Sequence, residues 1–271
     1  MVLLCEVMKR QYLCITIHKK YNQKKLTIMN TQKIYNLIIL DASGSMSSIY
    51  NQALTGVNEA IATIRMAQEQ HPDLEQYLTL ASFSAGENFL NRIYTALPIA
   101  EVRDITAEDY PLLGCTALYD AMGATISELQ QKLSHDDRVL VTIITDGYEN
   151  ASRTWSGYQI KSLVEELRQM GWTFTYIGAD QDVEKVAGSI GVRNSLRFSA
   201  NEESTKKMFA KERACRERYY DVMEDKVKCC EASLVEEEDF FSRDSDDVND
   251  DSGEEEPQSK IDSFIDKLFG Y

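Results

Sequence analysis

The stretch IYNLIILDASGSM, Ile34 to Met46, decides both the fold and the place to look for a site. Its first seven residues are apolar except for Asn36, too short for a buried helix and right for a strand covered on both faces. The chain then switches within one residue to carboxylate, hydroxyl, glycine and hydroxyl: Asp41, Ser43, Gly44, Ser45. A buried strand that ends in an acid and two serines delivers oxygen atoms to the carboxyl edge of a sheet.

Working outward, further strand-like runs are YLTLASF (77–83), RVLVTIIT (138–145) and WTFTYIG (172–178), with weaker candidates NFLNRIYTA (88–96) and SLRFS (195–199). Helix-period segments fall between them, at Ser47–Gln70, Ala117–Leu133, Tyr158–Met170 and Asp180–Gly188. Apolar strands alternating with amphipathic helices predict an α/β fold: a doubly wound, mostly parallel, Rossmann-like central sheet flanked by helices. Ligands of such sheets bind beyond the carboxyl ends of the strands at a topological switch point, which is where DASGSM falls.

Two more segments are expected at that edge. RVLVTIIT ends in Asp146-Gly147, and its apolar run marks a second central strand. LLGCTALYDAM offers a tight loop at Gly114-Cys115 and a hydroxyl at Thr116, which is expected to cap the helix beginning at Ala117. Neighbouring carboxylates favour a cation between them. A donor set of carboxylates and hydroxyls, without imidazole or thiolate, favours Mg²⁺, with Mn²⁺ as its substitute, over zinc or copper.

Together Asp41-Ala42-Ser43-Gly44-Ser45, Thr116 and Asp146-Gly147 resemble, in order and spacing, the metal-ion-dependent adhesion site (MIDAS) of von Willebrand factor A-type (VWA) domains. The resemblance covers about residues 34–200 and is nearest to intracellular bacterial members, including those associated with tellurite resistance and stress. It implies that Ser43, Ser45 and, in one state, Thr116 bind the metal directly. Asp41 and Asp146 would then act through waters or as hydrogen-bond acceptors, and a partner protein's acidic side chain would fill the open position. The family often has two glycines before the threonine; here the second is Cys115.

The expected partner-binding rim comprises Ser47, Cys115, Tyr148, Arg153 and Trp155. Trp155 equally suits packing its loop onto the helix that starts near Tyr158. Two other function classes stand beside the interaction module. A phosphohydrolase using Asp41 as nucleophile would need a second aspartate two residues on, where Ser43 stands, and no His or Lys is evident to activate the serines. A scaffold without metal is the third.

The 271-residue chain, 43% hydrophobic, suffices for one substantial core. Its charge of −15 is uneven: 13 acids and one base, Arg243, lie between Glu231 and Glu256, leaving the remainder near neutral. Such a segment reads as a disordered acidic linker (231–259) that repels nucleic acid. No stretch approaches the ~20 apolar residues of a membrane span. Residues 1–33 read as an extension, disordered or upstream of a natural start at Met29. The six cysteines lack zinc spacing, and His18, His71 and His135 match no metal or triad pattern, so a cytoplasmic protein with free thiols is expected.

After the sheet, Ser199 and Glu202 suggest a capping box opening a basic helix (201–230), read as a solvated face or a binder of the acidic segment. At the end, Ile261, Phe264, Ile265, Leu268 and Phe269 form one apolar stripe, predicting a short amphipathic helix (260–271). It would dock on a second partner or back on its own domain, and its acidic neighbours disfavour membrane contact.

Overall fold

The computed structural model describes residues 31–179, 182–199, 201–229, 240 and 241. The N-terminal extension to residue 30 and the proposed docking helix, with Ile261, Phe264, Ile265, Leu268 and Phe269, lie outside the described residues. Among the described residues there are six strands: β1 (Gln32–Asp41), β2 (Leu74–Phe83), β3 (Leu90–Pro98), β4 (Arg138–Thr145), β5 (Thr173–Ala179) and β6 (Asn194–Phe198). Five α-helices accompany them: α1 (Tyr50–Gln70), α2 (Leu118–Gln130), α3 (Gly157–Gln169), α4 (Val183–Ser189) and α5 (Glu202–Cys229). A 3₁₀ turn at Gly44–Ile49 leads into α1. Among the described residues no helix is long and apolar enough to cross a membrane.

The sheet order is β3-β2-β1-β4-β5-β6. Only β2–β3 is antiparallel; the other pairs are parallel. β1 and β4 are therefore the central neighbours from which the chain winds outward in both directions, and their carboxyl ends flank the switch point. The fold is thus the doubly wound, mostly parallel α/β arrangement that the sequence predicts.

Period-two alternation distributes each strand over two cores. Ile34, Ile38 and Leu40 of β1 pack with Val57, Ile61 and Ile64 of α1 and Met208, Tyr220 and Met223 of α5. Tyr35, Leu37 and Ile39 face the other way, toward Met122 and Ile126 of α2, Val164 of α3 and Ala187 of α4. Both faces of β1 are buried, which is why its sequence reads as a nearly unbroken apolar run.

Asn36 is the exception in that run, and α5 explains it. The Arg216 side chain is fully buried and donates to Glu212 Oε1 (2.8 Å), Asn36 Oδ1 (3.0 Å) and Thr142 Oγ1 (2.8 Å). Tyr220 donates its hydroxyl proton to Asn36 Oδ1 at 2.7 Å. Burial works against the guanidinium charge, but the Glu212 carboxylate and the Tyr220 hydroxyl together more than offset it and raise the Arg216 pKa. The helix expected to present a solvated basic face thus sends one arginine into the core.

Two cap expectations need correction. α5 is capped by Asn201, whose Oδ1 accepts from the Ser204 amide (2.9 Å), while Ser204 Oγ accepts from the Ser199 amide (2.9 Å). Asn201, two residues nearer the helix than Ser199, has the better reach. Thr116 does not cap α2: Ala117 holds that position without a side-chain bond. The expected disordered linker also contains two buried residues, Phe240 and Phe241, each 7% exposed.

Candidate metal centre

Three chain segments meet at the carboxyl edge of β1 and β4. The first leaves β1 through Asp41, which is buried. Its Oδ1 accepts from the Ser43 amide (2.7 Å), the local turn that brings the serine back toward the edge, and its Oδ2 accepts from Thr145 Oγ1 of β4 (2.6 Å). The second segment leaves β4 at Asp146, whose Oδ1 accepts from Ser45 Oγ at 2.7 Å. The Ser43 and Ser45 hydroxyls lie 3.0 Å apart.

Thr116 arrives on the third segment, between β3 and α2, and is buried. That loop is bolted to the first: the Leu113 amide donates to the Ala42 carbonyl (2.8 Å), and the Gly44 amide to the Gly114 carbonyl (3.1 Å). Gly147 shows how close the hydroxyls come. A Cβ there would sit 3.2 Å from Thr116 Oγ1 and 3.6 Å from Ser45 Oγ, so any side chain at this position would crowd the cradle. The five predicted ligand-set residues Asp41, Ser43, Ser45, Thr116 and Asp146 are in this way gathered at one edge.

The electrostatics of the edge favour a cation. Burial, reinforced by the neighbouring Asp146 charge, raises the Asp41 pKa to about 6 against the lowering effect of its bonds from Thr145 and Ser43. Tyr110 supports the same residue from behind: its buried hydroxyl donates to the Asp41 carbonyl oxygen at 2.5 Å, and its ring stacks on Tyr50 at 5.2 Å. Among the described residues no group of three or more His, Cys, Asp or Glu is placed to hold a metal. The donors that fit here are instead two carboxylates and three hydroxyls, a hard oxygen set suited to Mg²⁺ or Mn²⁺.

The rim is less uniform than its sequence suggests. Ser47, Cys115, Tyr148 and Arg153 are exposed, and Cys115 is a free thiol. The Tyr148 hydroxyl accepts from the Asp182 amide at 3.4 Å. Trp155 is half-buried and its indole lies against Gly123 of α2, so it anchors the loop. A Cβ at position 123 would fall within the indole's van der Waals envelope. Gly123→Ala is therefore expected to destabilise the chain by about 1–3 kcal/mol and shift its tryptophan emission, read by thermal unfolding followed by fluorescence. An unchanged melt and spectrum would contradict this packing.

Sequence reasoning missed the residues that hold this loop. The Glu149 carboxylate accepts from the amides of Ala151 (2.8 Å), Ser152 (2.7 Å) and Tyr119 (3.0 Å). Asp120 of α2 accepts from the amides of Arg153 (2.8 Å), Thr154 (2.8 Å) and Trp155 (2.7 Å). Asn150 Oδ1 accepts from the Thr116 amide (3.0 Å), tying the second segment to the third. The available signal was an acid in the first turn of a helix beside a loop containing Asn and Ser, all common acceptors of orphan amides. Leu113, in the loop before Thr116, is 67% exposed beside Gly114.

No protein-family model and no curated protein sequence matches the chain. Solved structures do resemble it. Proximal thread matrix protein 1 from the mussel byssus is 14% identical over 66% of this chain and 45% of that one, with a TM-score of 0.47. Another structure of that protein has a zinc-occupied MIDAS motif. A von Willebrand factor type A protein from Catenulispora acidiphila is 14% identical over 66% of this chain and 42% of that one, with a TM-score of 0.43. The pilus adhesin SpaC from Lactobacillus rhamnosus GG, in its open conformation, is 12% identical over 68% of this chain and 30% of that one, with a TM-score of 0.52. The chain thus spans less than half the length of each of these proteins. Identities this low speak only to architecture: the chain has a VWA-like α/β fold, with a six-stranded, mostly parallel sheet between two layers of helices.

Proposed function

We propose that the chain is a protein-interaction module that binds a divalent cation, Mg²⁺ by preference, and through it an acidic side chain of a partner protein. The observation that carries this reading is the convergence of Ser43, Ser45, Thr116, Asp41 and Asp146, from three chain segments, on one edge of the sheet. Ser43, Ser45 and Thr116 would offer hydroxyl oxygens to the ion. Asp41 and Asp146 would orient those hydroxyls and balance the charge. The bound ion would supply a Lewis acid with a position open to a carboxylate.

The same geometry argues against a phosphohydrolase. Both carboxylate oxygens of Asp41 are engaged, one by the Ser43 amide and one by Thr145, and the side chain is closed to solvent. A nucleophile needs a free, accessible lone pair. We assign the module to the cytoplasm, where the free thiols of Cys115 and Cys215 would persist.

A random-peptide display selection in Mg²⁺, eluted with chelator, tests the proposal. Enrichment of sequences carrying Asp or Glu is expected, and its loss when Asp146→Ala replaces the wild-type chain. Equal enrichment in chelator, or selection of peptides without acids, would contradict it.

A further inference from the structure

The acidic segment that follows α5 carries one aromatic pair close to its start. From Glu236 to Asp247 only Phe240 and Phe241 are apolar, and both are buried. Phe240 is held through its backbone as well as its ring. Its amide donates to Asn194 Oδ1 at 2.8 Å, and its carbonyl accepts from Arg218 Nη2 at 3.1 Å. The two clamps are themselves oriented, since Asn194 Nδ2 donates to the Phe174 carbonyl (3.3 Å) and Arg218 Nη2 also reaches Cys215 Sγ (3.4 Å).

The rings complete the seat. Phe240 lies 6.2 Å from the Tyr219 ring, and Phe241 meets Phe240 edge-on at 5.0 Å. Phe240 and Phe241 themselves belong to no helix or strand. Side-chain clamps on both backbone polar groups of one residue, with two aromatic anchors beside it, are how a protein surface recognises a short peptide rather than how a fold continues its own secondary structure.

We propose that Asn194, Arg218 and Tyr219 form a second binding site, specific for a short acidic peptide carrying an aromatic pair, which this chain's own Phe240-Phe241 closes in cis and which the same segment of a second copy enters when it is vacated. The site lies apart from the metal centre: β6, which Asn194 opens, is separated by β5 from β4, whose end carries Asp146. Tethering gives the cis segment an effective concentration of about millimolar, so a free peptide competes poorly until the cis pair is removed.

The test uses the full-length chain carrying Phe240→Ala with Phe241→Ala, and a fluorescein-labelled peptide spanning Glu236 to Asp247. Fluorescence anisotropy is expected to show saturable binding to this variant, at least about tenfold weaker binding to the wild type, and none to the variant when Arg218→Ala is added. A folded double variant that does not bind the peptide overturns the proposal. If the double variant does not fold, hydrogen exchange of the wild type decides. A seated ligand predicts that the Phe240 amide exchanges at least about a hundredfold faster than the central amides of β1 and β4; protection equal to theirs makes the pair permanent core and overturns the proposal.

Discussion

Arg216→Met is expected to destabilise the protein by about 3–5 kcal/mol, because it strands the buried Glu212 carboxylate. Glu212 is 3% exposed, and the other members of the network, Asn36, Thr142 and Tyr220, lose hydrogen bonds at the same time. Combining it with Glu212→Gln removes the stranded charge and should recover a large part of the loss, since a buried ion pair contributes little net stability over a neutral replacement. Urea unfolding of the two variants measures both. A loss below about 1 kcal/mol for the single variant, or a double variant no more stable than the single, would show that the network does not hold α5 on the sheet.

The second large effect is on pH dependence. In the folded, metal-free chain Asp41 holds its proton up to about pH 6, well above the ordinary aspartate value of 3.8, because burial disfavours its charge. The folded state therefore binds a proton that the unfolded state has already released. The sign follows: between about pH 4 and 6 the metal-free protein loses stability as pH rises, by up to about 3 kcal/mol from this group, and above that window the loss is complete.

Asp41→Asn cannot ionise and should lack this component. In chelator, the stability of wild type relative to Asp41→Asn is expected to fall across the window. Near pH 7, a saturating divalent cation should restore the wild type and leave the variant unmoved. Parallel curves for the two proteins would mean that Asp41 is not the strained acid of the edge.

How much of this was legible follows from the physical origin of each feature. The central strands announce themselves because both faces are buried, so IYNLIIL and RVLVTIIT carry their address in composition. β3 is an edge strand with residues half-buried or exposed, and its reading was correspondingly weak. The site residues were readable because each sits directly at the end of a recognisable strand or before a helix. The loop locks were not: Glu149 and Asp120 act on backbone amides, and any acid near a helix start can do so.

The largest omissions lie in α5 and just beyond it. Arg216 is one of several cations on a helix rich in charged residues, and only its partners on β1 and β4 reveal that it faces inward. Phe240 and Phe241 were hidden by the acids around them. Composition averaged over a segment cannot see two residues whose seat is built by Asn194 and Arg218, far away in sequence.

The cation site itself is tested most directly by calorimetric titration of Mg²⁺, and then Mn²⁺, into the chelator-treated chain at about pH 7.5, above the Asp41 window, beside the Asp146→Ala variant. Saturable binding of one ion per chain, lost in the variant, is the predicted result. An absence of binding to the wild type, or equal binding to both proteins, would contradict a metal centre at Asp41, Ser43, Ser45, Thr116 and Asp146.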